Sequence, residues 1–491
     1  MSSYMLMLII FIPIIGGILI PLLPFKKRNT MLFYIELIVL INTIFVWALL
    51  MHRPPEAITI LKFTGNLSVT FRMDGLGVVF AGLISTLWPL ATLYSFEYMK
   101  HEKNEKIFFM FYTMTYGVTL GIALSANILS MYFFYELLTL VTTPLVLHTL
   151  SREAILATRT YLYYSLGGAA FAFIGMIFII VYGASADFVY GGVLSGANYP
   201  GNPNMLLFIY VLAFFGFGVK AAVCPFNDWL PKAGVAPTPV TALLHAVAVV
   251  KSGAFAIMRL TYYCFGIGFL KGTWAQKIVM AVVLFTIVYG CSMAVRERHL
   301  KRRLAYSTIS NLSYILFGVT VMTPMGLLGA LMHMVSHAVM KICSFFCAGA
   351  VMYKTGRNYV YELDGFGRKM PKVFSIFTIS TLALMGVPGL SGFVSKFYLA
   401  RAAVESGNVM AYVGVGALLV SAILTAIYML SIVIRAFFPE QNFDYNTISD
   451  VEDPNWIMLV PLVIFCVLMV FIGVYSKPLY SLFEQISCGL L

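Results

Sequence analysis

Long apolar runs, each closed by a short cluster of charged or turn-forming residues, recur from one end of the chain to the other. Crossing a bilayer as an α-helix takes about 20 apolar residues. By that measure the runs predict helices near 4–24, 31–51, 76–97, 107–125, 127–149, 161–183, 205–223, 238–262, 276–295, 303–321, 325–352, 372–401, 409–434 and 456–476. The expected fold class is an all-α polytopic membrane protein of about fourteen transmembrane helices. Only 52–75 has a different period. There Ile, Leu, Phe and Val alternate with polar residues, which predicts a small hairpin outside the membrane.

Composition agrees with a lipid-facing surface. Of 491 residues, 60% are hydrophobic and only 11% charged, with a mean hydropathy of +0.90; soluble domains carry about 25% charged residues. The net charge of +12 raises the question of nucleic acid. The basic residues, however, lie in short loops between apolar runs, as the positive-inside rule describes, and not along one face of a domain. With the N-terminus outside, the cytoplasmic loops would hold Lys26, Lys27 and Arg28, the run 100–106, Arg152, Arg159, the cluster 296–303 and the loop 354–372. The long loop 184–204 carries no Lys or Arg, as an outside loop can. The first 24 residues lack a basic leader and read as a first transmembrane helix, not a cleaved signal. The cysteines at 224, 264, 291, 343, 347, 466 and 488 include no C-x-x-C. No four-ligand set assembles from them, so neither a metal nor a redox centre is expected in this chain.

A few ionisable residues remain that no loop explains: Lys220, Lys251, Lys341, Lys396, Glu36 and Glu136. A charge at mid-membrane is costly, faces the bundle interior and marks an ion route, unless it snorkels from a helix end. Glu136, near the middle of SMYFFYELLTLVTTPLVLH, has too short a side chain to snorkel and must be protonated or paired. Glu36, close to the start of its helix, reads as interfacial. Lys220 comes late in its helix, and Pro225, Pro231, Pro237 and Pro239 follow, so that helix is broken rather than ended. Broken helices put free backbone groups at depth, where transporters build ion sites. A Glu136–Lys220 pair there is suited to exchanging a proton.

Lys251 sits mid-helix with His245 six residues earlier. On a continuous helix that is roughly 600° of rotation, so the two do not share a face but can line one curved path. His333, His337 and Lys341 recur at i, i+4 and i+8 in HMVSHAVMKICSFFCAGA and form one stripe. Imidazole relays protons through its two nitrogens near neutral pH. A zinc site would need a further ligand at that depth, and no Asp or Cys supplies one. Lys396 follows a second interruption, at Gly386, Pro388 and Gly389. Two interrupted helices, one in each half, point to paired repeats with sites near the midplane.

As a set, FFYELLTL, FGFGVKAAVCPFNDWLPKAGVAPTPVTALLHAVAVVKSGAFAIMR, KRRLAYSTISNLSYILFG, HMVSHAVMKICSFFCAG and GVPGLSGFVSKFYL resemble the antiporter-like subunits shared by respiratory complex I, group 4 membrane-bound hydrogenases and Mrp-type cation/proton antiporters. The likeness is clearest over 75–440. It implies two inverted five-helix repeats, 107–262 and 276–437, with broken helices 7 and 12, flanked by 1–106 and by a final helix in 456–491. Glu136 and Lys220 match the family's glutamate–lysine pair, Lys251 its central lysine and Lys396 its terminal lysine. His245, His333, His337 and Lys341 match positions along the connecting polar axis. Lys396 departs from the complex I subunit class that carries glutamate there, and the family's long lateral helix is not expected. The His245/Lys251 helix is most similar to the large Mrp subunit, while the length fits the smaller one. The resemblance implies a proton-translocating subunit of a redox-driven complex in a prokaryotic cell membrane, with both termini outside. Its partners would be other membrane subunits, homologous antiporter-like ones among them, and iron–sulfur or nickel–iron centres would be confined to those partners. The alternative is a subunit of an Mrp-type Na⁺/H⁺ antiporter without redox chemistry.

Overall fold

A computed structural model describes residues 4–52, 56–64, 67–194, 199, 201–449 and 451–490. Among them, eleven helices are long and apolar enough to cross a membrane, and Pro203–Gly218 and Pro371–Met385 are apolar but shorter. Most begin and end within a few residues of the expected bounds. The exception is the sixth, which runs Arg152–Tyr182 and so starts nine residues before 161. Ser151 caps it by accepting from the Ala154 N–H, and this cap outweighs the charged first turn that made the segment read as a loop.

The expected hairpin is present as two antiparallel strands, Ile58–Lys62 and Ser68–Phe71; residues 65 and 66 between them lie outside the described set. It seats on the loop after the fourth helix, where the Ala126 N–H donates to Thr70 O at 2.9 Å. The 183–194 loop joins the same end through the Val193 N–H, which donates to Cys264 O at 2.8 Å. The basic loops gather at the other end. Arg28 binds Glu105 at 2.5 Å, Tyr353 donates to Glu97 at 3.1 Å, and the Lys301 ammonium caps Ala236 O at 2.9 Å.

Among the described residues three helices are interrupted, one more than expected. The Pro203–Gly218 helix ends before Lys220, and the chain turns through 219–228 into the short helix Trp229–Lys232. Lys220 therefore sits in the turn, not on the helix as the sequence placed it. The next segment is divided too, into Thr238–Ala246 and Val249–Met258, followed by a π-helical turn at Arg259–Phe265. The third break separates Pro371–Met385 from Ser391–Glu405. Gly386 adopts φ +94 there, a conformation that glycine reaches without strain. The two halves of this helix then touch backbone to backbone, since a Cβ on Gly392 would lie 1.8 Å from Ala383 O.

At the centre runs Pro324–Thr355, 32 residues long and buried on nearly every side. Region 456–491 holds two helices rather than one. Trp456–Val474 is followed by Lys477–Ser487, which turns Phe483 and Ile486 inward and packs on the central helix. Its alternation of apolar and polar positions over only 11 residues is too short to register as a span. Leu419, Ile423, Val463 and Val467 are among the large apolar side chains left exposed, as a surface solvated by lipid requires.

One buried ion pair pins the hairpin end. Arg259, fully buried, donates to both carboxylate oxygens of Asp74 at 2.6 Å, and Asp74 also caps the Gly75–Tyr98 helix by accepting from the Gly77 N–H. Burial raises the Asp74 carboxyl, but the Arg259 charge and its hydrogen bonds more than offset this and hold it below the usual carboxylate range.

Candidate functional site

The three helix breaks each bring a lysine into the interior. Lys220, in the turn after Gly218, has a side chain 1% exposed and lies 3.8 Å from Glu136 Oε1. Its ammonium also donates to the Tyr135 carbonyl and stands 3.4 Å above the Tyr135 ring. Tyr135 is fixed in turn by donating its hydroxyl to Phe217 O at 3.0 Å. The pair expected from the sequence is thus assembled, with one neighbour, Tyr135, that residue type alone did not single out.

Lys251 follows closely. Gly253, on its helix, presses against the Lys220 turn: a Cβ there would sit 2.5 Å from Ala221 N and 2.9 Å from Lys220 C. Only glycine lets the two segments approach this far. The break at Val247–Ala248 separates His245 from Lys251, so the rotation expected for a continuous helix does not apply. The His245 ring stands 4.8 Å from Phe345 and within electrostatic reach of Lys341 and Lys301.

Lys251 Nζ meets His337 Nδ1 at 2.5 Å. One turn away the His333 ring stacks on His337, centroids 5.8 Å apart, and His333 Nδ1 shares a hydrogen bond of 2.9 Å with Ser395 Oγ. Ser395 immediately precedes Lys396. Tyr314 closes the interval, its ring 5.1 Å from His333 and 5.3 Å from Lys396 Nζ. Lys396 itself donates to Leu384 O at 2.6 Å and Met385 O at 3.1 Å. These are among the last carbonyls of the first half-helix, which have no intrahelical partner and carry the negative end of the helix dipole. Pro388 and Gly389 form the turn beyond them. Pro225 lies in the turn after Lys220, and Pro237 caps the Thr238–Ala246 helix.

The geometry separates Lys341 from this line. It lies on the stripe with the histidines but donates to Ser307 Oγ at 2.6 Å and Leu304 O at 3.3 Å. Tyr428 donates to the same Ser307 oxygen at 2.7 Å. Lys341 therefore opens a branch toward the basic end instead of connecting His337 to Lys396. Ser307, Ser395, Tyr314 and Tyr428 escaped the sequence reading because serine and tyrosine are ordinary packing residues in membrane helices. Glu36 stays apart from all of these, half-buried in the second helix.

Among the described residues no group of three or more His, Cys, Asp or Glu is arranged to hold a metal ion. What the arrangement offers is a succession of proton donors and acceptors: carboxylate and ammonium, ammonium and imidazole, imidazole and hydroxyl, then ammonium and carbonyl.

A family model described as NADH:quinone oxidoreductase/Mrp antiporter, TM, matches residues 125–434. A second, described as NADH-Ubiquinone oxidoreductase (complex I), chain 5 N-terminus, matches 62–109. NAD(P)H-quinone oxidoreductase chain 4, chloroplastic, of Physcomitrium patens is 28% identical, over 97% of this chain and 96% of that protein. A Na(+)/H(+) antiporter subunit of Alkalihalophilus pseudofirmus is 29% identical, over 85% of this chain and 54% of that one. Among solved structures, a chain of the membrane-bound sulfane sulfur reductase, an archaeal respiratory membrane complex, superposes with a TM-score of 0.86 at 23% identity, over 100% of this chain and 98% of that one. At that identity the likeness is one of fold.

Proposed function

The chain belongs to the NADH:quinone oxidoreductase/Mrp antiporter family of membrane subunits, and from that premise we propose that it is a proton-translocating subunit of a multisubunit, redox-driven membrane complex. The observation that carries the reading is the buried succession Glu136–Lys220, Lys251–His337–His333 and Lys396, strung across three helix breaks. Ionisable side chains inside a membrane bundle are expensive, and so many in one line are hard to explain as packing.

In this reading a perturbation arriving from a neighbouring subunit parts Glu136 from Lys220. Lys220, without its counter-charge, gives up its proton toward Lys251, which shares a hydrogen bond with His337. Imidazole takes a proton on one nitrogen and releases one from the other, so His337 and His333 carry the charge past Ser395 and Tyr314 to Lys396. His245 and Lys341 serve the branch on the basic side. The breaks at Pro225, Pro237, Pro388 and Gly389 keep the halves free to shift.

The two repeats would be 107–262 and 276–437, related by inversion and flanked by 1–106 and 456–491, with fourteen crossings once the broken helices and Leu300–Thr320 are counted. The basic loops would face the cytoplasm of a prokaryotic cell and both termini the outside. Homologous antiporter-like subunits would be its neighbours, with any iron–sulfur or nickel–iron centres in partner subunits. The antiporter relative from Alkalihalophilus pseudofirmus favours a second reading, in which the chain serves an Mrp-type Na⁺/H⁺ antiporter.

Proteoliposomes holding the native complex test the first reading. Lys220→Ala or Lys251→Ala should abolish the pH gradient formed on adding reductant while electron transfer continues. Undiminished pumping in both variants refutes the assignment. A gradient driven by Na⁺ alone, without reductant, selects the second reading.

A further inference from the structure

At the basic end a crevice of about 560 Å³ opens between the last turn of Trp274–Arg296, the start of Leu300–Thr320, the turn at Val360–Glu362 and the last turns of Val409–Phe437. Arg296, Arg298, Arg303 and Arg435 line it, and the proton line uses none of them. Arg303 is 7% exposed. Its Nε donates to Glu297 O at 2.8 Å and its Nη1 to Tyr428 O at 3.0 Å and to Ser431 Oγ at 2.9 Å.

Three carboxylates stand close by. Asp364 meets Arg435 at 3.3 Å, and the Glu297 carboxylate accepts from the backbone N–H groups of Arg298 and His299, both at 2.9 Å. A third carboxylate, Glu362 in the Val360–Glu362 turn, accepts from the Asn358 and Tyr359 N–H groups at 3.0 Å, and four guanidinium groups against three carboxylates leave the crevice cationic. The planar guanidinium fork matches phosphate oxygens two at a time, which makes a phosphate-bearing anion the complementary ligand.

The surroundings indicate the source of the phosphate. From the crevice the Val409–Phe437 helix presents Ile434, Ile427, Ile423 and Leu419 outward, 53%, 52%, 64% and 63% exposed, and Ile427 also lines the crevice. A cationic hollow at the end of the helices, continuous with an apolar stripe along one of them, fits a molecule with a phosphate head and acyl chains. We propose that this crevice binds the headgroup of an anionic phospholipid, with its chains laid along that stripe. The site also touches the Lys341 branch. Arg303 holds the Tyr428 carbonyl, and the Tyr428 hydroxyl donates to the Ser307 oxygen that accepts from Lys341.

The test uses the purified native complex, delipidated by detergent exchange and offered phosphatidylglycerol or phosphatidylcholine with identical acyl chains. Lipid retained on the subunit is read by native mass spectrometry. Phosphatidylglycerol should be retained in preference, and Arg298→Gln with Arg435→Gln should weaken its retention about thirtyfold, the loss expected for two basic groups at a lipid surface. Both arginines are exposed and Arg303 stays in place, so the fold should persist, which thermal unfolding checks. Should the double variant unfold, the comparison of the two lipids on the unmodified complex decides: equal retention overturns the proposal. Displacement by millimolar inorganic phosphate without any preference between the lipids identifies a soluble-anion site and overturns the lipid assignment. Loss of a neighbouring subunit from the variant complex, with phosphatidylglycerol retention unaltered, means that a protein fills the crevice and overturns it equally.

Discussion

Replacing Glu136 by Gln keeps the volume and shape of the side chain and removes only its charge, so it isolates the electrostatic half of the proposed relay. At the observed 3.8 Å, an ion pair in a medium of effective dielectric about 20 is attracted by about 4.4 kcal/mol. If opening the pair lengthens that distance to about 7 Å, the attraction falls to about 2.4 kcal/mol by the same relation. Opening therefore withdraws about 2 kcal/mol of stabilisation from the Lys220 ammonium and favours loss of its proton by that amount, an upper bound because the Glu136 side chain is 22% exposed and partly screened. Without the charge, opening no longer changes how firmly Lys220 holds its proton, and at about 1.4 kcal/mol per decade the pumping rate should fall by about thirtyfold. The assay is proton uptake into proteoliposomes, followed with a pH-sensitive dye, beside substrate turnover in the same vesicles. Glu136→Asp, which keeps the charge but withdraws it, should fall between the two. A Gln variant that pumps within about twofold of the native rate at equal turnover refutes the claim that this pair transmits force.

Two further outcomes follow from the packing. Gly253→Ala places a Cβ 2.5 Å from Ala221 N, and overpacking of this kind costs about 1–3 kcal/mol; thermal unfolding should register it, and pumping should drop although no residue of the proposed relay is altered. A variant with native stability and pumping shows that the close approach is not needed. Asp74→Ala leaves Arg259 buried without its partner, at a cost of about 3–5 kcal/mol, and Arg259→Leu in the same background should recover part of that loss. Because Asp74 is held below the usual carboxylate range, its contribution is present above its unfolded value and disappears as pH falls through the folded one. Stability of the native chain should therefore decline with acid below about pH 4, and Asp74→Ala should flatten that decline; an identical acid profile in the variant removes the pair from the account.

Apolar runs announced the spans because nothing but a helix satisfies the backbone in lipid. The break beside Lys396 was legible because Gly386, Pro388 and Gly389 write it locally. The break at Val247–Ala248 was not, since HAVAVVK contains no glycine or proline and its interruption comes from what packs around it. Arg259 passed unnoticed as a stranded charge because it falls near the expected end of its helix, and its partner Asp74 stands 185 residues away along the chain. The buried lysines and histidines were legible because such side chains are out of place in an apolar segment. Their order was not: spacing placed Lys341 on the histidine stripe, and only the position of Ser307 shows that it points elsewhere.

Lys396 is gripped by the Leu384 and Met385 carbonyls and, among the described residues, by no carboxylate. A backbone clasp of this kind has no side chain that substitution could strengthen or weaken, so its grip is fixed by where the severed rod stops. Sliding that rod by about an ångström would stretch both bonds beyond hydrogen-bonding range. In the proposed relay the joint would act as a mechanical latch: a tug on Pro371–Met385 would loosen the cation directly, with no chemical signal passing between them.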